Sequence, residues 1–113
     1  MNNDYAVVIR SHVMGYGDDK LGALLMRSSI CSLCELERLP SVIILYNTGV
    51  KLAVQGADSA DSLLKLQNAG VSILLCGTCV DYFEVKDLIA VGKISNMVSI
   101  NNTLTKMGNI IYP

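Results

Sequence analysis

Val71-Ser72-Ile73-Leu74-Leu75-Cys76-Gly77-Thr78-Cys79 is the stretch on which the reading of the fold turns. A short apolar run without a polar residue at every second position is the pattern of a strand covered on both faces, as strands in parallel sheets are. Ala69-Gly70 before the run closes a helix that opens at Asp58 or Ser59, and the glycine and thiols after it read as a strand passing directly into a helix. Helix, buried strand and helix in immediate succession belong to an α/β domain.

The same alternation extends in both directions. Tyr5 to Ile9 reads as a first strand, Ser11 to Gly17 as a loop, and Asp18 or Asp19 as the cap of a long helix running to about Leu39, where Pro40 stops it. Ser41 to Tyr46 reads as a second strand, Asn47-Thr48-Gly49 as a turn, and Lys51 to Gln55 as a short helical turn. After the cysteine motif the pattern predicts a helix over about 80–88, a brief fourth strand over 97–100, a helix over 102–107 ended by Gly108, and a last strand over 109–112. The expectation is a single domain over residues 1–113: a three-layer, flavodoxin-like α/β fold with a mainly parallel five-stranded sheet.

Composition narrows the function classes. Hydrophobic residues make up 51% and charged residues 17%, which implies that some apolar surface is covered by another copy of the chain. The first helix adds to this: Lys20, Arg27 and Arg38 share one narrow stripe, while leucines, Met26 and Ile30 occupy most of the remaining circumference. A net charge of -1 and a single histidine offer nothing to nucleic acid or to an anionic membrane surface. No apolar stretch approaches the roughly 20 residues that span a bilayer, and Met1 to Asp4 shows no secretion signal. These features place the expected location in the cytoplasm, where its 4 cysteines are read as reduced thiols rather than disulfides.

The chemistry of the chain lies in its thiols. Cys76, at the carboxyl end of a strand and ahead of a helix, occupies the edge where α/β proteins place reacting groups, and a helix N-terminus there favours a thiolate. Cys79 falls in the first turn of that helix, placed to pair with Cys76, tune it or pack. Gly77, Thr78, Asp81 and Tyr82 complete the motif and its surroundings, and His12, at the end of the first strand, lies on the same sheet edge as a candidate base or counter-ion. Cys31 and Cys34 have the same spacing but sit within the first helix and read as small packing residues.

Rival chemistries fit less well. A shared four-thiolate zinc site calls for two pairs on tight turns about 15–20 residues apart; here 41 residues intervene, Glu35 through Leu75, and one pair is helical. A thioredoxin-like dithiol site packs against a cis-proline loop, which neither Pro40 nor Pro113 is placed to supply. The glycines of Met14-Gly15-Tyr16-Gly17-Asp18-Asp19 suggest a phosphate loop, but the two aspartates set negative charge where a phosphate would sit. No metal, flavin or other cofactor is expected.

Four blocks in order carry a family resemblance: Gly17-Asp18-Asp19-Lys20-Leu21-Gly22 with Leu25-Met26; Tyr46-Asn47-Thr48-Gly49-Val50-Lys51-Leu52-Ala53; Cys76-Gly77-Thr78-Cys79-Val80-Asp81-Tyr82-Phe83; and Val91-Gly92-Lys93-Ile94-Ser95-Asn96-Met97. Together they resemble the DsrE/DsrF-like sulfur-relay family, closest to the DsrE-like domain of YedF-type selenium-metabolism proteins. The resemblance implies a DsrE-like fold, homo-oligomers, and a strand-end cysteine that carries sulfane sulfur as a persulfide. Only Cys76 matches that position, with Cys79 as its motif neighbour; Cys31 and Cys34 lie outside the family pattern. YedF-type proteins join such a domain to a TusA-like one, so a TusA-like protein is the candidate partner among sulfur donors and acceptors. The expected function is that of a sulfurtransferase or sulfur carrier. The alternative is a non-catalytic, oligomeric binding or assembly module for a small ligand or metal, with structural cysteines.

Overall fold

Five strands form one sheet: β1 (Tyr5–Ile9), β2 (Val42–Leu45), β3 (Ser72–Cys76), β4 (Lys93–Ser95) and β5 (Asn109–Ile111), in the order β4-β3-β2-β1-β5. Every adjacent pair is parallel. The structure is a computed structural model describing residues 2–113; Met1, part of the stretch read for a secretion signal, lies outside them. Helices α1 (Asp19–Leu33), α2 (Ala60–Asn68) and α3 (Gly77–Tyr82) connect the first four strands, and α4 (Met97–Thr105) leads to the fifth. The expected α/β three-layer parallel sheet is therefore present. Its strand order departs from the 2-1-3-4-5 order of flavodoxin, because the last strand rather than the second takes the edge beside β1.

Strand alternation sorts the core into two layers. Val7, Ile9, Ile43, Leu45, Ile73 and Leu75 face α1, α2 and α3, where Met26, Ile30, Leu63, Leu66 and Val80 meet them. Ala6, Val8, Val42, Ile44 and Cys76 face the other way, onto Ile100 of α4. Burying an aliphatic side chain contributes about 2 kcal/mol. The exposed Arg27–Asp58 ion pair, at 3.5 Å, contributes less than about 1 kcal/mol. The layers, not surface charge, hold the fold together.

Four boundaries differ from the sequence reading, one being the helix expected over about 80–88, which is instead α3 ending at Tyr82 and a separate 3₁₀ turn at Lys86–Leu88. α1 ends at Leu33, not near Leu39, and continues as tight turns in which Cys34, Glu35 and Leu36 donate to carbonyls three residues back. Its last turn has no basic residue to complement the helix dipole, and the returning chain is fastened where the Tyr5 hydroxyl donates to the Arg38 carbonyl at 2.6 Å, with the guanidinium over its ring. Arg38 is thus not on a helical stripe, and Cys34 is the C-cap of α1 rather than a mid-helix residue. The segment after β2 is one 3₁₀ stretch, Asn47–Ala53, rather than a turn and a separate helical turn. The predicted strand over 97–100 is helix instead: the Asn96 side chain accepts from Ser99 N at 2.9 Å and starts α4, while the fourth strand lies at Lys93–Ser95.

Among the described residues, no helix is long and apolar enough to cross a membrane. α1 buries Gly22, Met26 and Ile30, while Leu21, Leu24 and Leu25 stay exposed, so its apolar arc is wider than the sheet covers. Because Asn96 satisfies a first-turn N–H of α4, Asn96→Ala should lower the free energy of urea unfolding by about 1 kcal/mol. An unchanged urea midpoint would show that the cap contributes nothing.

Candidate functional site

The carboxyl ends of β1, β2 and β3 meet in register, with Ile9 beside Leu45 and Leu45 beside Leu75. The residues that follow these strands therefore emerge together. Cys76 is still part of β3, paired with Ser95, and alternation turns its side chain into the α4 layer, where it is 3% exposed. It forms the N-cap of α3 without a side-chain cap hydrogen bond. α3 has only six residues, so its summed dipole is small.

Cys79 lies one helical turn further on, packed against both core layers at the end of the sheet. Its sulfur accepts a hydrogen bond from the backbone N–H of Asn47 at 3.1 Å. Asn47 has φ 50, the left-handed conformation that Asn tolerates better than most residues, and its side chain accepts from Thr48 N at 2.8 Å. Gly49 allows this 3₁₀ segment to lie against β1, since a Cβ there would sit 2.6 Å from the Ile9 carbonyl oxygen. Burial pushes the Cys79 thiol above its ordinary pKa; the Asn47 N–H pulls it down, and the neighbouring Cys76 thiol pushes it up.

Cys79 opens onto a shallow cavity of about 490 Å³, lined also by Asn47, Thr78, Tyr82 and Phe83. Tyr82 and Phe83 meet edge to face at 5.1 Å, and the Lys51 ammonium lies 4.5 Å from the Phe83 centroid. On the α4 side, the Tyr46 hydroxyl donates to the Met97 sulfur at 3.7 Å. Burial first, then Cys76, Tyr112 and Cys79, raise the Tyr46 pKa, so its phenol stays protonated at neutral pH.

The expected site residues are thus only partly assembled. Cys79, Thr78 and Tyr82 line the cavity, whereas Cys76 lies behind it in the core. Gly77 packs close to β4, where a Cβ would stand 3.0 Å from the Ser95 carbonyl oxygen. Asp81 is exposed on α3. The His12 ring bonds Thr48 at 3.0 Å and lines a separate cavity with Arg27, Lys51 and Asp58. Cys31 is exposed, and the Cys34 thiol donates to the Ser62 carbonyl at 3.6 Å in the α1 and α2 layer. That places Cys34 and Cys76 on opposite faces of the sheet. Asn47 and Phe83 escaped the sequence reading as site residues; the one available signal was the convergence of strand ends, since Asn47 acts through its backbone.

No protein-family model matches the sequence, and no curated protein does. Solved structures do share the fold. The ychN protein from E. coli is 18% identical with a TM-score of 0.73, over 97% of this chain and 99% of that one. MTH1491 from Methanobacterium thermoautotrophicum, described as a protein of unknown function, is 19% identical with a TM-score of 0.68, over 99% and 100%. BT1422 from Bacteroides thetaiotaomicron, a conserved protein of unknown function, is 19% identical with a TM-score of 0.66, over 98% and 96%. The likeness spans whole chains and defines the architecture.

Because burial holds the Cys79 thiol above its ordinary range, its thiolate fraction should still be rising at pH values where an exposed cysteine has levelled off. In a Cys31→Ser/Cys34→Ser background, the iodoacetamide rate at Cys79 should climb with pH and plateau late. A plateau at or below that of a model cysteine peptide would contradict the balance of burial over the Asn47 hydrogen bond.

Proposed function

We propose that this chain is a sulfur-relay protein of the DsrE/DsrF-like kind, akin to the DsrE-like domain of YedF-type proteins, working in the cytoplasm. In this reading Cys76 carries sulfane sulfur as a persulfide and hands it to a partner, for which a TusA-like protein is the candidate. The supporting observation is the placement of two free thiols at the carboxyl edge of a parallel sheet, one buried and one opening onto an aromatic-walled cavity beside a backbone N–H. A persulfide terminal sulfur is labile in water, and the apolar layer around Cys76 would limit solvent access to it. The exposed Leu21, Leu24 and Leu25 of α1 support association with further copies of the chain.

Incubated with a low-molecular-mass persulfide, the Cys31→Ser/Cys34→Ser protein should gain one sulfur atom, mapped to the Cys76 peptide. The same protein with Cys76→Ser and Cys79→Ser added should gain none. Thiols that take up no sulfur and resist alkylation in the native protein would instead favour the binding-module reading. In sedimentation velocity the native protein should run heavier than one chain, and Leu24→Glu should shift it toward the monomer; a monomeric parent would remove the association proposal.

A further inference from the structure

The two thiols of the motif are unequal in access and in hydrogen bonding. Cys76 is 3% exposed and belongs to the layer of Ala6, Val8, Ile44 and Ile100, so a donor has no direct path to its sulfur. Cys79 lines the cavity and already has an N–H donor on its sulfur. A thiol that receives sulfur must meet the donor in line, and the anion formed on it must find a donor group. Cys79 meets both requirements, and Cys76, closed off from the cavity, fails the first.

Resting on the sulfur-carrier reading, we propose that Cys79 is the receiving thiol for a small persulfide donor and Cys76 the storing one, with Asn47 as the positioning residue for the transfer. Cys79 thiolate attacks the terminal sulfur of the donor persulfide. A bond forms between Cys79 Sγ and that sulfur, the donor's own S–S bond breaks, and the donor leaves as its thiol after taking up a proton. Cys76 then attacks the same outer sulfur. Its new S–S bond forms as the Cys79 Sγ–sulfur bond breaks, and the proton released by Cys76 passes to the departing Cys79 sulfur. Both steps move one sulfur atom without net oxidation, so no external oxidant or reductant is needed. The Asn47 N–H faces Cys79 Sγ, the atom that is nucleophile in the first step and leaving group in the second.

The cavity sets the class of donor. Its volume of about 490 Å³ falls within the range of small-molecule sites. Its walls are the Tyr82 and Phe83 rings, with Asn47 and Thr78 as the polar residues beside Cys79. That lining suits a small alkyl persulfide, its alkyl part against the rings and its outer sulfur toward Cys79.

The test uses the Cys31→Ser/Cys34→Ser protein as parent, cysteine persulfide as probe, and timed alkylation followed by peptide mapping. Cys79→Ser should slow the appearance of sulfur on Cys76 by at least about tenfold, a conservative figure beside the advantage of an intramolecular transfer. Cys76→Ser should still load Cys79 and retain the sulfur there. Asn47→Gly, which keeps the left-handed backbone and its N–H, should load faster than Asn47→Val. Asn47→Val, which resists that conformation, should slow loading about tenfold, in line with loss of a charge-assisted hydrogen bond, and move the pH profile of Cys79 alkylation upward. Circular dichroism of each variant identifies any that fails to fold, and Cys79→Ala then replaces Cys79→Ser. Cys76 loading at the parent rate in a folded Cys79 variant overturns the order of transfer while leaving the carrier reading intact. Absence of sulfur on both thiols of the parent overturns the carrier reading itself.

Discussion

The pairing of β3 between β2 and β4 is the constraint on which the rest of the site depends. Leu75 is locked beside Leu45 on one side and Ile94 on the other, and Cys76 beside Ser95. With the backbone so held, the two-residue alternation of a strand leaves the Cys76 side chain no choice of face. A slip of one residue would turn Leu75 and Ile73 out of the α1, α2 and α3 layer, exposing side chains whose burial is worth about 2 kcal/mol each. The position of the buried thiol is thus secured by hydrophobic residues that have no part in its chemistry. Cys79 is secured by a different device, because α3 begins directly at the strand end and its first turn brings that sulfur back over the sheet edge to Asn47.

Much of this was legible in the sequence, and the exceptions have physical causes. The buried strands at Tyr5–Ile9 and Ser72–Cys76 and the helix at Ala60–Asn68 stood out because an apolar run or periodicity was bounded by clear caps and breakers. The end of α1 did not, since the helical pattern of leucines continues through Leu36 and Leu39 and only tertiary contacts of Tyr5 with Arg38 reveal the return of the chain. The β4 to α4 boundary was misplaced because Met97-Val98-Ser99-Ile100 is apolar enough for a strand, and the Asn96 cap outweighs that local preference. At the site, the thiols announced themselves by spacing and position. The N–H of Asn47 is a main-chain group, common to every residue but proline, and its aim depends on a backbone conformation that sequence alone signals weakly.

The two faces of the sheet are covered unequally. Three helices lie on one side, while among the described residues α4 alone covers the other. A parallel sheet is stable in water only when both faces are covered. The thin side leaves Val98 and Tyr112 exposed near the short edge strands β4 and β5. Arg10 offsets part of this by lying over the Tyr112 ring at 4.7 Å. The Cys76 sulfur is held on this thinner side, so its environment depends on α4 more than on the larger layer behind the sheet.

Burial and hydrogen bonding act on the thiols in opposite directions, and their balance bears on the chemistry. Removing Cys79 from water disfavours its anion, which leaves the resting thiol mostly protonated and slow toward adventitious electrophiles. A persulfide loses its proton more readily than the thiol from which it forms. In the proposed relay, the same N–H that only partly offsets burial in the resting state faces Cys79 Sγ when that sulfur departs as the leaving group. One backbone donor at the rim of the core counts for more there than it would in water, since the strength of that hydrogen bond grows as the local dielectric falls. Tyr46, a phenol that is neutral at pH 7 and whose pKa burial raises further, adds no competing charge to the α4 side of the site. An arrangement that keeps the resting Cys79 thiol protonated is in this way consistent with the proposed relay, in which Cys79 passes sulfur on rather than storing it.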